Sequence, residues 1–134
     1  ACNNYSKPTT LPHHFEMQDT VWYYMLTKDE EFVKEIIRRY HELRDSWLSD
    51  EYLMNYIDET VAYLGPAVER NFEVWGYTFE EYIPLNPKER NPEDYKAAVQ
   101  QLKDAILERG EWMDTHVDIL LQYSHPSKNK KFNH

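Results

Sequence analysis

The amino-acid sequence predicts an all-α fold, a helical bundle, and three observations support this prediction. Apolar side chains recur at steps of three and four residues over long stretches, which places them along one side of a helix. Polar residues that commonly cap helices precede these stretches. The chain also holds only three glycines, against four tryptophans and eleven tyrosines. This composition favours long helices with bulky faces over a loop-rich barrel or a glycine-rich phosphate loop.

Composition also limits the class of protein. A chain of 134 residues, 41% of them hydrophobic, is enough for one domain, or part of one, with an apolar core. The net charge of −9 argues against nonspecific binding to nucleic acid or anionic membranes, because both require a basic surface. No apolar run approaches the roughly 20 residues of a membrane span. The basic residues Lys128, Lys130 and Lys131 are interpreted as part of a solvated tail.

We interpret the whole chain as a single helical region. Its predicted parts are an irregular lead-in at 1–12, helices at 13–124 with a proline-containing loop at 76–90, and a tail at 125–134.

The central helix is predicted over Thr27–Leu48, after an earlier helix at His14–Leu26. Thr27 is followed three residues later by Glu30, which is the spacing of a capping box. The apolar residues of this stretch share one helical face, and they are Phe32, Val33, Ile36, Ile37, Tyr40, Leu43 and Trp47.

Three further helices follow in the prediction. Ser49 has the character of an N-cap for a helix that ends at Leu64, before Gly65-Pro66. A short helix follows at Pro66–Trp75. The last helix is predicted over Asn91–Tyr123, with Asn91 as its cap. Gly110 lies inside this helix, where glycine costs about 1 kcal/mol relative to alanine, but the helix is expected to continue through it.

All four tryptophans lie on or beside these apolar faces. We therefore expect Trp22, Trp47, Trp75 and Trp112 to be mostly buried between helices.

Few residues form a motif that is typical of a catalytic or metal-binding site. The sequence has no recognisable nucleophile with its base, Walker loop or cysteine–histidine cluster at ligand spacing. The stretch His41-Glu42-Leu43-Arg44-Asp45 partly matches the zinc motif H-E-x-x-H. Asp45 replaces the second histidine and no third ligand can be assigned, so we favour a structural role for this stretch.

Two features near the beginning of the chain are also interpreted conservatively. His13 and His14 are adjacent and point to different sides of a helix, which argues against a metal site with Glu16. The single cysteine, Cys2, excludes an internal disulfide and leaves the cellular compartment open. A lipid-anchor role for Cys2 would require a preceding apolar segment. The chain begins with Ala1 rather than Met, so the absence of a signal peptide carries no information.

The succession W-Y-x-x-L, D-x-x-F, R-R-Y-x-E-L-R and L-S resembles the C-terminal helical region of the CotH family. The family comprises spore-coat and cell-surface proteins with an atypical protein-kinase fold. The matching residues are Trp22, Tyr23, Leu26, Asp29, Phe32, Arg39, Tyr40, Glu42, Leu43, Arg44, Leu48 and Ser49. The family more often has Trp at the position of Tyr40 and Pro at that of Glu30. The resemblance covers about residues 15–122 and implies that these helices form the lower lobe of a kinase-like domain.

The same resemblance implies a function for the full-length protein. It would transfer phosphate from ATP, with Mg or Mn, to serine or threonine of spore-coat or surface proteins. Its location would be the spore coat or the cell surface. This chain alone is expected to be inactive and to bind no cofactor, with the remainder of the kinase domain as its partner.

One site residue is carried over from the family. Ala1-Cys2-Asn3-Asn4 resembles the A-F-G-N segment that follows a W-D-x-D motif in CotH-like kinases, with Cys2 for Phe and Asn3 for Gly. The match implies that Asn4 lies at the rim of the nucleotide and metal site. A simple turn formed by Asn3 and Asn4 is an equally good interpretation. No catalytic or metal-binding residue is assigned.

Three hypotheses for function therefore remain open. The chain is the C-terminal helical part of a CotH-like kinase, a surface adhesion or interaction module without catalysis, or an unrelated helical bundle. The sequence upstream of Ala1 would distinguish them, because a kinase requires a W-D-x-D motif and a strand lysine there.

Overall fold

The computed structural model of the protein describes residues 21–76, residue 79 and residues 91–126. These residues are mostly helical, which confirms the all-α prediction for the described part of the chain. The α-helices are α1 Val21–Leu26, α2 Glu30–Arg44, α3 Asp50–Leu64, α4 Ala67–Trp75 and α5 Tyr95–His116, and a 3-10 helix, η1, follows at Val117–Tyr123. The predicted start of the first helix at His14 and most of the predicted loop at 76–90 lie outside the described residues.

The helix starts are set by side-chain caps. Ser49 caps α3 as predicted, and its hydroxyl accepts the Tyr52 backbone N–H at 3.2 Å. The predicted cap at Thr27 is wrong, because α2 begins at Glu30 and the Asp29 carboxylate accepts the Phe32 N–H at 2.9 Å. Asp94, and not Asn91, caps α5 by accepting the Ala97 N–H at 2.7 Å.

Helix ends also differ in detail from the prediction. The central helix ends at Arg44, and residues 45–48 form turns that lead into α3. Gly65, with φ of +42°, ends α3 in a backbone conformation that side chains with a Cβ rarely adopt. The last helix continues through Gly110 as predicted, but it changes at Val117 from α to 3-10 geometry.

The fully packed core of the described residues is small and lies between α2 and η1. It consists of Val33, Val117 and Leu120. Partly buried side chains of α2 and α5 surround it, namely Ile36, Ile37, Tyr40 and Met113. The 3-10 helix therefore supplies two of the three buried core residues and contacts both α2 and α5.

The segment after η1 returns to the beginning of α2. The His125 N–H donates to the Lys28 carbonyl at 2.9 Å, and the Glu30 N–H donates to the His125 carbonyl at 3.1 Å. These bonds form an isolated parallel bridge beside Asp29. The bridge thus joins the segment after η1 to the start of α2.

The prediction that all four tryptophans are mostly buried is wrong for three of them. Trp22 is 80% exposed, Trp47 63% and Trp75 77%, whereas Trp112 is half-buried. The three exposed residues lie in the short helix α1, in the turn after α2 and at the last position of α4. A periodic apolar pattern identifies the face of a helix, but it does not show whether another element covers that face.

The described helices include none that is long and apolar enough to cross a membrane.

Candidate functional site

A polar cluster joins α2, α5 and the start of α3, and it is formed by Tyr40, Arg44, Asp50 and Asp114. Arg44 Nε donates to Asp114 Oδ1 at 2.9 Å, and Nη2 donates to Asp114 Oδ2 at 2.7 Å. This is the two-pronged geometry in which a guanidinium binds a carboxylate most strongly. The Tyr40 hydroxyl donates to the same carboxylate, with 2.6 Å between Oη and Oδ1.

The other side of the Arg44 guanidinium faces the turn between α2 and α3. Nη1 donates to the Leu48 carbonyl at 2.6 Å and to Asp50 Oδ1 at 2.8 Å. The side chain of Arg44 is only 16% exposed, because helices pack around its stem. One residue thereby connects three segments of the chain.

The environment of the cluster changes the acidity of its members. The hydrogen bonds from Arg44 lower the pKa of Asp114, although partial burial acts in the opposite direction. Burial, together with the hydrogen bond to Asp114, raises the pKa of Tyr40 well above its usual range. The two carboxylates raise the pKa of Arg44 further. At neutral pH the cluster is thus a charged Arg–Asp pair with a protonated phenol.

Gly110 gives the cluster the space that it needs. A Cβ added at this position would lie 3.1 Å from Arg44 Nη1 and 3.2 Å from Cζ. The Gly110 carbonyl also lies 3.3 Å from the Tyr40 hydroxyl. The glycine in the middle of α5 is explained by the close approach of the Arg44 guanidinium.

The polar cluster is suited to structural cross-linking. The polar atoms of Arg44 and Asp114 are directed at each other and at their neighbours, so the pair is a fixed element of the packing between α2 and α5. A phenol whose pKa is raised is also a poor general base near neutral pH. We therefore assign the cluster to holding the helices in position.

Three aspartates of the described helices and turns serve separate local roles. Asp29 caps α2, and Asp58 forms an ion pair with Lys103 at 2.5 Å. Asp45 lies at the exposed end of α2, where its backbone N–H donates to the His41 carbonyl. Residues 21–76, 79 and 91–126 hold no group of three or more histidines, cysteines, aspartates and glutamates near enough to share a metal ion.

The partial zinc motif has a structural explanation. Glu42 forms ion pairs with Arg38 and Arg39 along the surface of α2, and Arg44 belongs to the polar cluster. His41 lies exposed beside Tyr40, with 5.6 Å between the two ring centroids. The structure thus supports the structural role predicted for this stretch.

Asn4, the one site residue carried over from the family resemblance, lies outside the described residues. Among the described acids, Asp29 serves as a helix cap and Asp58 forms an ion pair.

Sequence reasoning missed Asp114 and the purpose of Gly110. Arg44 and Asp114 are separated by 70 positions, so no local pattern relates them. A glycine inside a strongly helical stretch was the available signal, because such a residue commonly marks a close contact.

The fold and the polar cluster define a helical module in which the groups of the polar cluster serve packing. The family model described as CotH kinase protein matches residues 3–113. This match spans most of the chain, so the protein belongs to the CotH kinase protein family. The match includes α1 to α4 and most of α5, and it ends just before Asp114 and η1. Comparison with the curated proteins and with the solved structures gave no significant match to either.

Proposed function

We propose that this chain is the C-terminal helical part of a CotH-like protein kinase domain, corresponding to its lower lobe. The observation that carries this proposal is the family match over residues 3–113. In this role the helices support the nucleotide and metal site from one side and do not complete it. The all-α fold of the described residues agrees with such a role.

The distribution of apolar surface supports the same proposal. The fully packed core contains only three side chains, whereas every residue of α1 is exposed, including Trp22 and Tyr24. Val74 and Trp75 at the end of α4 are also largely exposed. Large contiguous apolar patches on soluble proteins commonly mark surfaces that contact another protein part. The remainder of the kinase domain is the partner that we propose for α1.

The activity proposed for the full-length protein is phosphoryl transfer from ATP, with Mg or Mn, to serine or threonine of spore-coat or surface proteins. Phosphoryl transfer depends on positioning and on neutralising phosphate charge by metal-bound acids and a lysine. The family's W-D-x-D motif does not occur in these 134 residues. We therefore propose that transfer requires a segment outside them, with Asn4 at the rim of the site.

A pair of proteins tests the proposal: this chain, and the same chain extended through its upstream coding sequence. Both are incubated with labelled ATP, Mg or Mn, and a serine-rich acceptor. We expect label transfer by the extended protein only, and a loss of at least tenfold in Asn4→Ala. The neighbouring change Asn3→Ala serves as the matched control and should have a smaller effect. Transfer by this chain alone would contradict the proposal.

A second candidate function is surface adhesion or interaction without catalysis, and the exposed aromatic residues favour it. The extended protein again decides between the two. An upstream sequence without W-D-x-D and without the strand lysine, together with no label transfer, would favour the adhesion function.

A further inference from the structure

A shallow pocket opens at the junction of α2 and α3, away from the polar cluster's contacts with α5. It has a volume of about 400 Å³ and is lined by Ser46, Trp47, Ser49, Glu51, Tyr52 and Asn55. The larger part of its lining is apolar. The pocket therefore combines an aromatic surface with a few polar groups, which is the usual composition of a small-ligand site.

The two aromatic rings of this pocket form a corner. The rings of Trp47 and Tyr52 are nearly perpendicular, at 82°, with 5.1 Å between their centroids. Tyr56 stacks on Tyr52 with 6.4 Å between centroids and thereby supports it from the side. Trp47 is 63% exposed, so most of its ring surface remains open to solvent.

Among the residues that line the pocket, the charged one is acidic, and it is Glu51 in the first turn of α3. Arg44, the last residue of α2, is paired with Asp50 and Asp114. A positively charged ligand would meet the Glu51 carboxylate without competition from a free cation in this turn.

We propose that this pocket binds a trimethylammonium group. Aromatic rings attract such cations through the negative potential of their faces, and the open Trp47 ring and the Glu51 carboxylate lie in the same pocket. A methylated ammonium is weakly hydrated compared with the strongly hydrated ammonium of lysine, so it gives up little solvation in a mostly apolar pocket. The group belongs either to a free choline-like molecule or to a trimethyllysine side chain. This proposal does not depend on phosphoryl transfer.

The test is a titration of this chain with choline, followed by ligand-observed and protein-observed nuclear magnetic resonance. We expect weak saturable binding, with upfield shifts of the choline methyl signal from the aromatic ring currents. The neutral carbon analogue of choline, which has the same shape without the charge, should bind at least several-fold more weakly. A trimethyllysine peptide, titrated in parallel with its unmethylated form, distinguishes a protein source from a free one.

Three variants locate the site. Trp47→Ala should weaken choline binding by about three- to thirty-fold, in keeping with the usual strength of a cation–aromatic contact. Glu51→Gln keeps the shape and should also weaken it. Trp75→Ala removes a tryptophan that is 77% exposed and lies outside the pocket, so it should leave binding unchanged. Circular dichroism verifies that each variant is folded. Equal binding of choline and its neutral analogue, unchanged binding in Trp47→Ala, or no saturable binding of either ligand would each overturn the proposal.

Discussion

At the scale of single residues, Arg44 shows how one side chain organises a large part of the fold. Its guanidinium reaches Asp114 on α5, Asp50 on α3 and the Leu48 carbonyl in the turn. A lysine at this position would offer a single charged point and not a planar fork, so it would not reproduce the two-pronged contact. The identity of this residue therefore matters more than its charge.

The first prediction concerns Asp114 and pH. Asp114 has a lowered pKa in the folded protein, so its ionised form stabilises the fold above the usual pKa of about 4. This contribution is lost as pH falls through the lower, folded-state pKa. At pH 7 we expect Asp114→Asn to reduce the free energy of unfolding by about 0.5–1.5 kcal/mol, because a charge-assisted pair is broken and solvent screens a carboxylate that is 41% exposed.

Urea unfolding of both proteins at several pH values measures the effect. The difference between the original protein and Asp114→Asn should shrink as the pH is lowered from 7 towards 3. Asp118→Asn, which changes an exposed aspartate in η1, is the matched control. A difference that does not depend on pH would mean that the carboxylate acts through its shape and not through its charge.

The second prediction concerns Gly110. In an ordinary helix Gly→Ala adds about 1 kcal/mol of stability. Here the new Cβ would lie 3.1 Å from Arg44 Nη1, and the guanidinium is held by three partners and cannot easily move. We therefore expect Gly110→Ala to be neutral or destabilising in the original protein.

A double-mutant cycle isolates this contact. In an Arg44→Ala background, the same Gly110→Ala change should stabilise the protein by up to about 1 kcal/mol, because the obstacle is gone. Thermal or urea unfolding measures both effects. Equal effects of Gly110→Ala in the two backgrounds would show that the contact between residue 110 and the Arg44 guanidinium does not affect stability.

At the scale of the elements, local signals in the sequence predicted helices well and their partners poorly. Ser49 was identifiable as a cap because its hydrogen bond to the Tyr52 N–H spans only three residues. Thr27 and Asp29 are both good caps by type, and the choice of Asp29 coincides with a backbone bridge to His125 at the far end of the chain. A pattern of neighbouring residues cannot predict a contact between residues that are far apart in the sequence. The Arg44–Asp114 pair was missed for the same reason.

The element that sequence reasoning undervalued is η1. Its residues continue the apolar spacing of α5, so they were predicted as an extension of that helix. In the structure, the change to 3-10 geometry accompanies the burial of Val117 and Leu120 against α2. The family match ends at residue 113, before this element. The core of the described chain thus depends on residues beyond the matched segment.

The third prediction tests the weight of η1 with two neighbouring leucines. Leu120 is 7% exposed and Leu121 is 38% exposed. Leu120→Ala should cost about 2–5 kcal/mol, because it removes buried methyl groups and leaves a cavity in a very small core. Leu121→Ala should cost less than about 1 kcal/mol. Similar losses at both positions in urea unfolding would contradict the assignment of η1 to the core.

At the scale of the whole molecule, the balance of buried and exposed apolar surface is unusual for a chain of this composition. Aromatic residues make up 15% of the sequence, but the fully buried side chains of the described part are valines. Tyr63 is 89% exposed and Trp22 is 80% exposed. The polar cluster and the small core around η1 join α2 to α5 and η1, and the Phe72 and Tyr95 rings join α4 to α5. Large aromatic side chains of α1 and the end of α4 remain exposed.

The fourth prediction follows from this surface and from the proposal that α1 packs against the remainder of a kinase domain. In this chain Trp22→Ala should change the free energy of unfolding by less than about 1 kcal/mol, because an exposed side chain loses few contacts when it is truncated. In the protein extended upstream, the same change should cost about 3–5 kcal/mol, since Trp22 would then fill a packed interface.

Trp47→Ala, in the pocket that we assign to a trimethylammonium ligand, should have the same small effect in both proteins and controls for general changes in stability. Quenching of tryptophan fluorescence by acrylamide gives an independent measure, because coverage of α1 must reduce the access of the quencher. If Trp22→Ala is as mild in the extended protein as in this chain and quenching does not fall, the aromatic face of α1 remains open, and adhesion becomes the better account of why so much aromatic surface is exposed.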